Sequence, residues 1–321
     1  MYNQWQKNKF IEQYTNNVLY RDTCRNTFEM FEKYEVEWGA DLCTRTPEEL
    51  APVIEDLCGI RSKSIESRLV VLNEYVKWCQ QEGISDTRAD FSKIKPSGVK
   101  AMKRMTVSSP RHLQFFLDSV FEPVEMETID VVYRCIFWLA FSGIPDSEIL
   151  NIRNSDININ GMYIRCLGRN YPIYREGLEA FKKVVHMTEF RVITDNRESY
   201  RSRIAGDLIL RLTKESTNLK YLRNKIALKQ RKIRDKKPEL FSEDFPSLSY
   251  SSARLSGLFY EAFENERVGI SPDFSQFVYE NRRTDISKMD DKQKRVQKRS
   301  EDFLARGFLE DYQRWKVAHY Y

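Results

Sequence analysis

The stretch that decides the fold is Phe141-Ser142-Gly143-Ile144-Pro145-Asp146-Ser147-Glu148-Ile149-Leu150-Asn151-Ile152. Residues 127–142, which lead into it, are apolar nearly all round, and this predicts a helix buried at the centre of a domain. Gly143 is expected to end that helix, because glycine readily adopts the left-handed conformation of a helix terminus. Further along, residues 156–159 and 162–165 flank Asn160-Gly161, a pair typical of turns between antiparallel strands. The stretch therefore joins a core helix to a β-hairpin.

The rest of the C-terminal half is predicted to be mainly helical. A third strand is expected at residues 171–174, after Gly168, and a helix from Glu176 to about His186. Apolar residues at helical spacing predict a helix within the very basic segment 219–237 and another that begins near Ser249. The predicted fold is mostly α with a small antiparallel β-sheet.

The N-terminal 95 residues predict a bundle of four helices without a strand pattern. One apolar stripe runs from Phe10 to Val18 and a second from Phe28 to Trp38. Thr46-Pro47-Glu48-Glu49 predicts a capped helix start, and Pro52 is expected to cause a kink or a later start. Gly83 is expected to end the fourth helix.

Composition and charge favour a two-domain protein with a polar surface. The 321 residues are 41% hydrophobic and carry a net charge of +5. We divide them into a helical domain over 1–95, a basic linker over 96–108 and a second domain over 109–321. The six cysteines form no CxxC pair and the three histidines lie far apart, so we expect no metal, no cofactor and a reducing cytoplasm. The longest apolar run is too short to span a bilayer, and we expect no membrane partner.

Basic and hydroxyl side chains gather at helix starts and in the linker, a pattern that suits contacts with DNA phosphates and grooves. The alternative is ordinary capping on a solvated face. The candidate DNA-contacting residues are Arg21, Arg25, Lys63, Ser64, Ser67, Arg68, Lys100, Lys103, Arg104, Arg169, Ser249, Ser251, Ser252 and Arg254. The basic segment 220–237 is either a further nucleic-acid contact or a solvated arm.

Two groups of motifs resemble one known family. Phe28-x-x-Phe31 and Leu69-x-x-Leu72-x-x-Tyr75-x-x-Trp78 resemble the SAM-like core-binding domain of phage integrases. FSGIPDSEILNIRNSDI, the hairpin and YPIY resemble the start of the tyrosine recombinase catalytic domain. The resemblance implies a two-domain tyrosine recombinase-like fold, with a core-binding domain and an integrase catalytic-like domain, that binds double-stranded DNA.

The resemblance also implies a catalytic set that this chain lacks in part. The family uses two arginines, a hairpin lysine, a His or Trp and a nucleophilic tyrosine to cleave DNA. Pro145 stands where the first arginine is expected. Arg169 stands near the lysine position, and arginine is too weak an acid to give up its proton. The remaining positions fall on Arg282 or Arg283, in a box without histidine, and on Tyr312 or Tyr320.

Three functions follow from these observations. The leading hypothesis is a phage or prophage repressor in a bacterial host that maintains lysogeny, binds operator DNA and does not cleave it. Its activity would be modulated by a protein antirepressor or by self-association. The second is an active recombinase with a divergent set of Arg169, Arg282, Arg314 and either Tyr312 or Tyr320. The third is a protein-interaction module that acts through a partner integrase.

Overall fold

The computed structural model describes residues 1–14, 17–60, 63–194, 197–204, 206–211, 218–240, 245–275, 277–278 and 289–321. Within these ranges, the side chains of residues 63, 64, 193, 194 and 240 lie outside the description. The chain divides into two compact units, Met1–Met102 and Lys103–Tyr321. Each unit has its own hydrophobic core.

Four helices build the N-terminal unit, as the sequence predicts. They are α1 (Gln4–Glu12), α2 (Val18–Trp38), α3 (Pro47–Leu57) and α4 (Lys63–Gln81). The aromatic rings of Phe10, Phe28 and Tyr75 pack edge to face at the centre. The predicted capping box is confirmed, since Thr46 and Glu49 satisfy each other's backbone amides. Side-chain burial on three helices, rather than propensity, holds this bundle together.

One expectation for this unit is wrong, and one of the two alternatives for the helix with Pro52 is excluded. Val18 does not extend the first stripe but begins α2 and is 64% exposed, because the Asn17 side chain accepts the Tyr20 amide and starts a new helix there. Helix α3 does not start late, since it begins at Pro47 and continues through Pro52. Proline at the sixth helical position removes one hydrogen bond near the start, where few have formed.

The basic linker predicted over 96–108 contains a helix, α5 (Val99–Met105). Ala101 and Met102 are fully buried, and this burial orders a segment that lacks a long periodic pattern. The division between the two units falls within α5, between Met102 and Lys103.

The C-terminal unit surrounds one buried helix, α7 (Asp130–Phe141), in which every residue is buried. The other elements are α6 (Pro110–Val120), β1 (Ile157–Asn158), β2 (Tyr163–Cys166), β3 (Arg169–Pro172), α8 (Leu178–His186), β4 (Glu189–Thr194), β5 (Arg197–Ser202), α9 (Leu219–Lys236), α10 (Tyr250–Arg267) and α11 (Asp291–Tyr320). Gly143 follows α7 with a φ of 95°, as its predicted role as a helix stop requires. Arg134 stays inside the core because its guanidinium donates to Asp118 and to the carbonyls of Phe121 and Glu122.

The sheet is antiparallel in the order β1-β2-β3, so the predicted hairpin is confirmed. Its turn differs from the expectation, because Asn158 pairs with Tyr163 and leaves a four-residue loop around Asn160-Gly161. The two-residue turn lies instead between β2 and β3, where Leu167 and Gly168 both have positive φ. Strands β4 and β5 form a second, two-stranded sheet that the sequence did not predict.

None of the helices in the described ranges combines the length and apolarity that crossing a bilayer requires.

Candidate functional site

The turn after α7 is held by two side chains of one later helix, α10. Tyr250 at the start of α10 donates its hydroxyl to the Ile144 carbonyl at 2.7 Å. One turn further along α10, the Nε of Arg254 donates to the Gly143 carbonyl at 3.1 Å. The turn is therefore fastened to α10 through backbone carbonyls, which any sequence at residues 143–144 would supply.

Pro145, at the position expected for a phosphate-holding arginine, is buried in this turn. Its carbonyl accepts the amide of Glu148 at 2.9 Å, which continues the chain into a short 3-10 helix. Next to it, Asp146 is paired with Arg223 of α9 at 2.5 Å. A proline has no charge and no backbone donor, so this position offers nothing to hold an anion.

Arg169 and Arg254 line one cleft of about 340 Å³ beside Gly143. Glu261 and Asp273 also line it, so the cleft combines two cations with two carboxylates. Arg254 is half-buried and its guanidinium lies 4.9 Å above the ring of Phe277. The structure thus brings together two of the predicted site residues that are 85 positions apart, and an anion entering this cleft would meet both.

The tyrosines at the predicted nucleophile positions differ in environment. Tyr312 is fully buried and donates its hydroxyl to Glu266 at 2.6 Å. Burial and this hydrogen bond raise the pKa of Tyr312 well above its usual value. Tyr320 is 39% exposed, stacks on Phe263 and donates to the Ser108 carbonyl, and burial raises its pKa to about 12. Raising the pKa of a phenol makes its nucleophilic phenolate harder to form.

Of the remaining catalytic candidates, Arg314 lies among the described residues. Arg314 is bound to Asp311 at 2.7 Å on α11. Arg282 and Arg283 lie outside the described residues.

The serines at the start of α10 serve partly as caps. Ser249 is the N-cap and its hydroxyl accepts the amide of Ser252. The buried hydroxyl of Ser252 in turn accepts the amide of Ser249. Ser249 and Ser251 are exposed, so only these two of the three predicted serines present a surface to a partner.

The N-terminal candidates lie on α2 and α4. Arg21 and Arg25 occupy the first two turns of α2, where Arg25 is exposed and pairs with Asp22 at 3.3 Å. Arg68 of α4 reaches Thr27 at 3.4 Å, so it lies beside the part of α2 that carries Arg25. Ser67 is exposed next to it, whereas the side chains of Lys63 and Ser64 fall outside the described residues.

The cations of α5 and α9 have mixed roles. Lys100 pairs with Asp56 at 2.6 Å within the N-terminal unit, while Lys103 is exposed and Arg104 is half-buried. On α9, Lys229 reaches the buried carboxylate of Asp130 and anchors the helix to α7. The basic segment is thus a docked helix, and its outward side still carries Lys220, Lys225, Lys232 and Lys236.

Sequence reasoning missed the role of Arg223 and Lys229 as anchors, because their acidic partners lie 77 and 99 residues away. It also missed the exposed strand β5, which carries Arg197 and Arg201. The alternation of polar and apolar residues in Glu189-Phe190-Arg191-Val192 of β4 was the available signal. Among the described residues, no three metal-binding side chains come together.

Comparison with known protein families gives a match for the N-terminal unit. Residues 1–81 match the model of the MrpR N-terminal core-binding domain, a range that takes in α1 to α4. No curated protein matches the chain. Because the match covers 81 of 321 residues, it is evidence for the family of the N-terminal unit and not for that of the rest of the chain. It agrees with the resemblance of this unit to the core-binding domains of integrases.

Proposed function

We propose that this protein binds specific operator sites in double-stranded DNA and represses transcription from a phage or prophage genome without cleaving the strands. The observation that carries the proposal is the match of residues 1–81 to a core-binding domain. The finer likeness, suggested by the sequence as a whole, is to the lysogeny repressor of SPbeta-like Bacillus phages. Partners of this repressor would be operator DNA and a protein antirepressor or a second copy.

The environment of the catalytic positions supports binding without cleavage. Pro145 supplies no cation where the first arginine is expected, and Tyr312 is a core residue bonded to Glu266. Losing one donor to a developing negative charge lowers the rate of such reactions by roughly a hundredfold to a thousandfold. Cleavage would suffer from both defects, whereas binding to phosphates through surface cations needs neither residue.

The proposal is tested by titrating the full chain with labelled genomic fragments in the presence of unlabelled competitor DNA. We expect a preference for a small set of fragments and an affinity that falls with salt in proportion to the phosphates neutralised. Equal affinity for all fragments would count against a repressor.

Single substitutions then test whether the surface that carries Arg25 and Arg68 contacts DNA. Arg25→Gln and Arg68→Gln are expected to weaken specific binding by roughly 1–3 kcal/mol if these side chains read bases. Lys182→Gln is the matched control, because Lys182 pairs with Glu179 on α8 and is not one of the candidate DNA-contacting residues. A loss in the control as large as that in the two variants would show that general charge, and not this surface, accounts for binding.

A second candidate, an active recombinase, is favoured by the cleft in which Arg169 and Arg254 meet. Two guanidinium groups can hold a phosphate between them. Incubation with a nicked suicide substrate tests for a covalent protein–DNA adduct. An adduct that disappears in Tyr312→Phe or Tyr320→Phe would overturn the non-catalytic proposal.

A further inference from the structure

A second cavity of the C-terminal unit lies between α9 and the start of α10. Its volume is about 600 Å³, within the range of about 300–1,000 Å³ typical of small-molecule sites. The walls are formed by one side of α9 and by residues 247–251, and Ile136 and Phe137 of the buried helix α7 form the floor. Gln230 fixes the two walls relative to each other, because its amide donates to the Leu248 carbonyl at 2.8 Å. The cavity is therefore built by anchored elements.

The lining combines an apolar interior with one sign of charge. Met105, Ile226, Ala227 and Leu248 extend the apolar floor, and Met105 remains 37% exposed there. Arg223, Arg231 and Arg234 line the cavity at spacings of eight and three residues, which places them on one side of α9. Among the described residues, the cavity lining includes these three arginines and no carboxylate. Asp146 pairs with Arg223 at 2.5 Å.

One of these arginines carries an unsatisfied donor. Arg223 gives its Nη2 to Asp146 and lies 5.1 Å above the ring of Tyr250, yet its buried Nε has no hydrogen-bond partner in the structure. A buried donor without a partner is unfavourable by about 1–3 kcal/mol. An anion in the cavity would lie close to these guanidinium groups and could accept hydrogen bonds from their N–H donors.

We propose that this cavity binds a small amphipathic anion, in which a carboxylate, sulfonate or phosphate group is attached to an apolar body. The anionic group meets the arginines of α9, and the apolar body covers Phe137, Ile226 and Met105. A bare DNA phosphate offers the same negative group but leaves the apolar floor uncovered, so the apolar body distinguishes the two sources. Binding at this cavity does not depend on the function proposed above.

The test uses the full chain and the fluorescent probe 8-anilinonaphthalene-1-sulfonate, with decanoate, decanol and a short duplex as competitors. We expect one saturable site, displaced by decanoate and not by decanol. Displacement by the duplex but not by decanoate would identify a DNA phosphate site and overturn the proposal. Absence of saturable probe binding would overturn it as well, and DNA binding measured on the same preparation keeps this failure separate from a failure of the proposed function.

Three variants locate the probe. Ala227→Trp fills the cavity from an exposed position, so folding should be unaffected, and it is expected to weaken probe binding at least tenfold. The double variant Arg231→Gln/Arg234→Gln is expected to do the same. Lys225→Gln/Lys232→Gln removes two charges from α9 outside the cavity and should leave binding unchanged. Equal losses in the two double variants would mean that the probe follows net charge, and would overturn the site.

Discussion

At the scale of single residues, Gly257 shows how closely α10 and α7 approach each other. A Cβ atom added at Gly257 would lie 1.7 Å from the Phe141 carbonyl oxygen, far inside any permitted contact. Phe141 ends a helix that is buried along its whole length, so its backbone cannot retreat. Gly257→Ala is therefore expected to destabilise the C-terminal unit by about 3 kcal/mol or more, the range of severe packing defects. Thermal unfolding followed by circular dichroism measures this loss.

The matched control is Gly307 of α11, a helical glycine where an added Cβ would meet no described atom within 4 Å beyond its own stretch of helix. Alanine there should stabilise the helix by up to about 1 kcal/mol, because glycine is the poorer helix former. Two Gly→Ala changes with opposite effects on melting would establish the close approach. Similar melting temperatures for both variants would contradict it.

The turn at residues 143–146, which follows α7, shows which properties of single residues can be predicted from the sequence. The positive φ of Gly143 and the missing charge at Pro145 follow from residue type, and both could be predicted. The anchoring of Asp146 by Arg223 could not, since the two are 77 positions apart and a basic helix offers many equivalent partners. The hydrogen bond from Arg254, a candidate DNA contact, to the Gly143 carbonyl could not be predicted either, because it depends on the packing of α10 against α7 at Gly257, less than one turn away.

At the scale of elements, α9 illustrates how a very basic helix becomes part of a core. Leu222 and Ile226 are buried, and Lys229 reaches Asp130, whose carboxylate is 2% exposed and also accepts the Glu122 amide. Lys229→Ala removes the cation that pairs with the buried carboxylate of Asp130. We expect a loss of roughly 1–3 kcal/mol in the free energy of unfolding.

Chemical denaturation of the variant measures this loss, with Lys232→Ala as the control on the same helix. Lys232 is exposed, so its truncation should change stability by less than about 0.5 kcal/mol. If both variants unfold like the parent, α9 is held by its apolar residues alone and the pairing with Asp130 contributes nothing.

The strands differ in how readily the sequence predicts them. The β1–β2 hairpin could be predicted from its alternation and from Asn160-Gly161, although the loop is longer than a two-residue turn. Strand β5 could not, because all of its residues are exposed and carry mostly polar side chains. Its order comes from pairing with β4, where Phe190 is buried against the main core. Backbone pairing does not require apolar side chains, so it leaves no hydrophobic alternation in a polar strand.

At the scale of the whole molecule, the two units bury different titratable groups. In the N-terminal unit, Lys7 and Glu35 are both fully buried and paired, and Glu35 also accepts the Leu42 amide at 3.0 Å. Burial raises the pKa of Glu35 from 4.5 to about 7 despite the pairing with Lys7. In the C-terminal unit, burial lowers the pKa of His319 from 6.5 to about 4. His319 bonds to Thr106 at 2.9 Å near the end of α11.

These two shifts predict opposite responses to pH. Glu35 binds its proton more tightly in the folded state, so its contribution to stability is full below about pH 4.5 and is lost as the pH rises through 7. His319 binds its proton more weakly in the folded state, so its contribution is present above about pH 6.5 and is lost as the pH falls through 4. Between pH 7 and pH 5 the N-terminal unit should gain, and the C-terminal unit should lose, roughly 1–2 kcal/mol each.

Amide hydrogen exchange on the full chain resolves the two responses, because it reports the opening free energy of each helix separately once intrinsic rates are corrected for pH. Protection in α2 and α4 should rise at the lower pH, while protection in α11 should fall. Glu35→Gln should remove the pH dependence of protection in α2 and α4 and leave that in α11 unchanged. His319→Gln should remove the pH dependence in α11 and leave that in α2 and α4 unchanged. Both expectations concern the change with pH and hold whatever each substitution does to stability at a single pH. Parallel trends in both units, unchanged by either substitution, would show that the pH dependence comes from surface charge and not from these two buried groups.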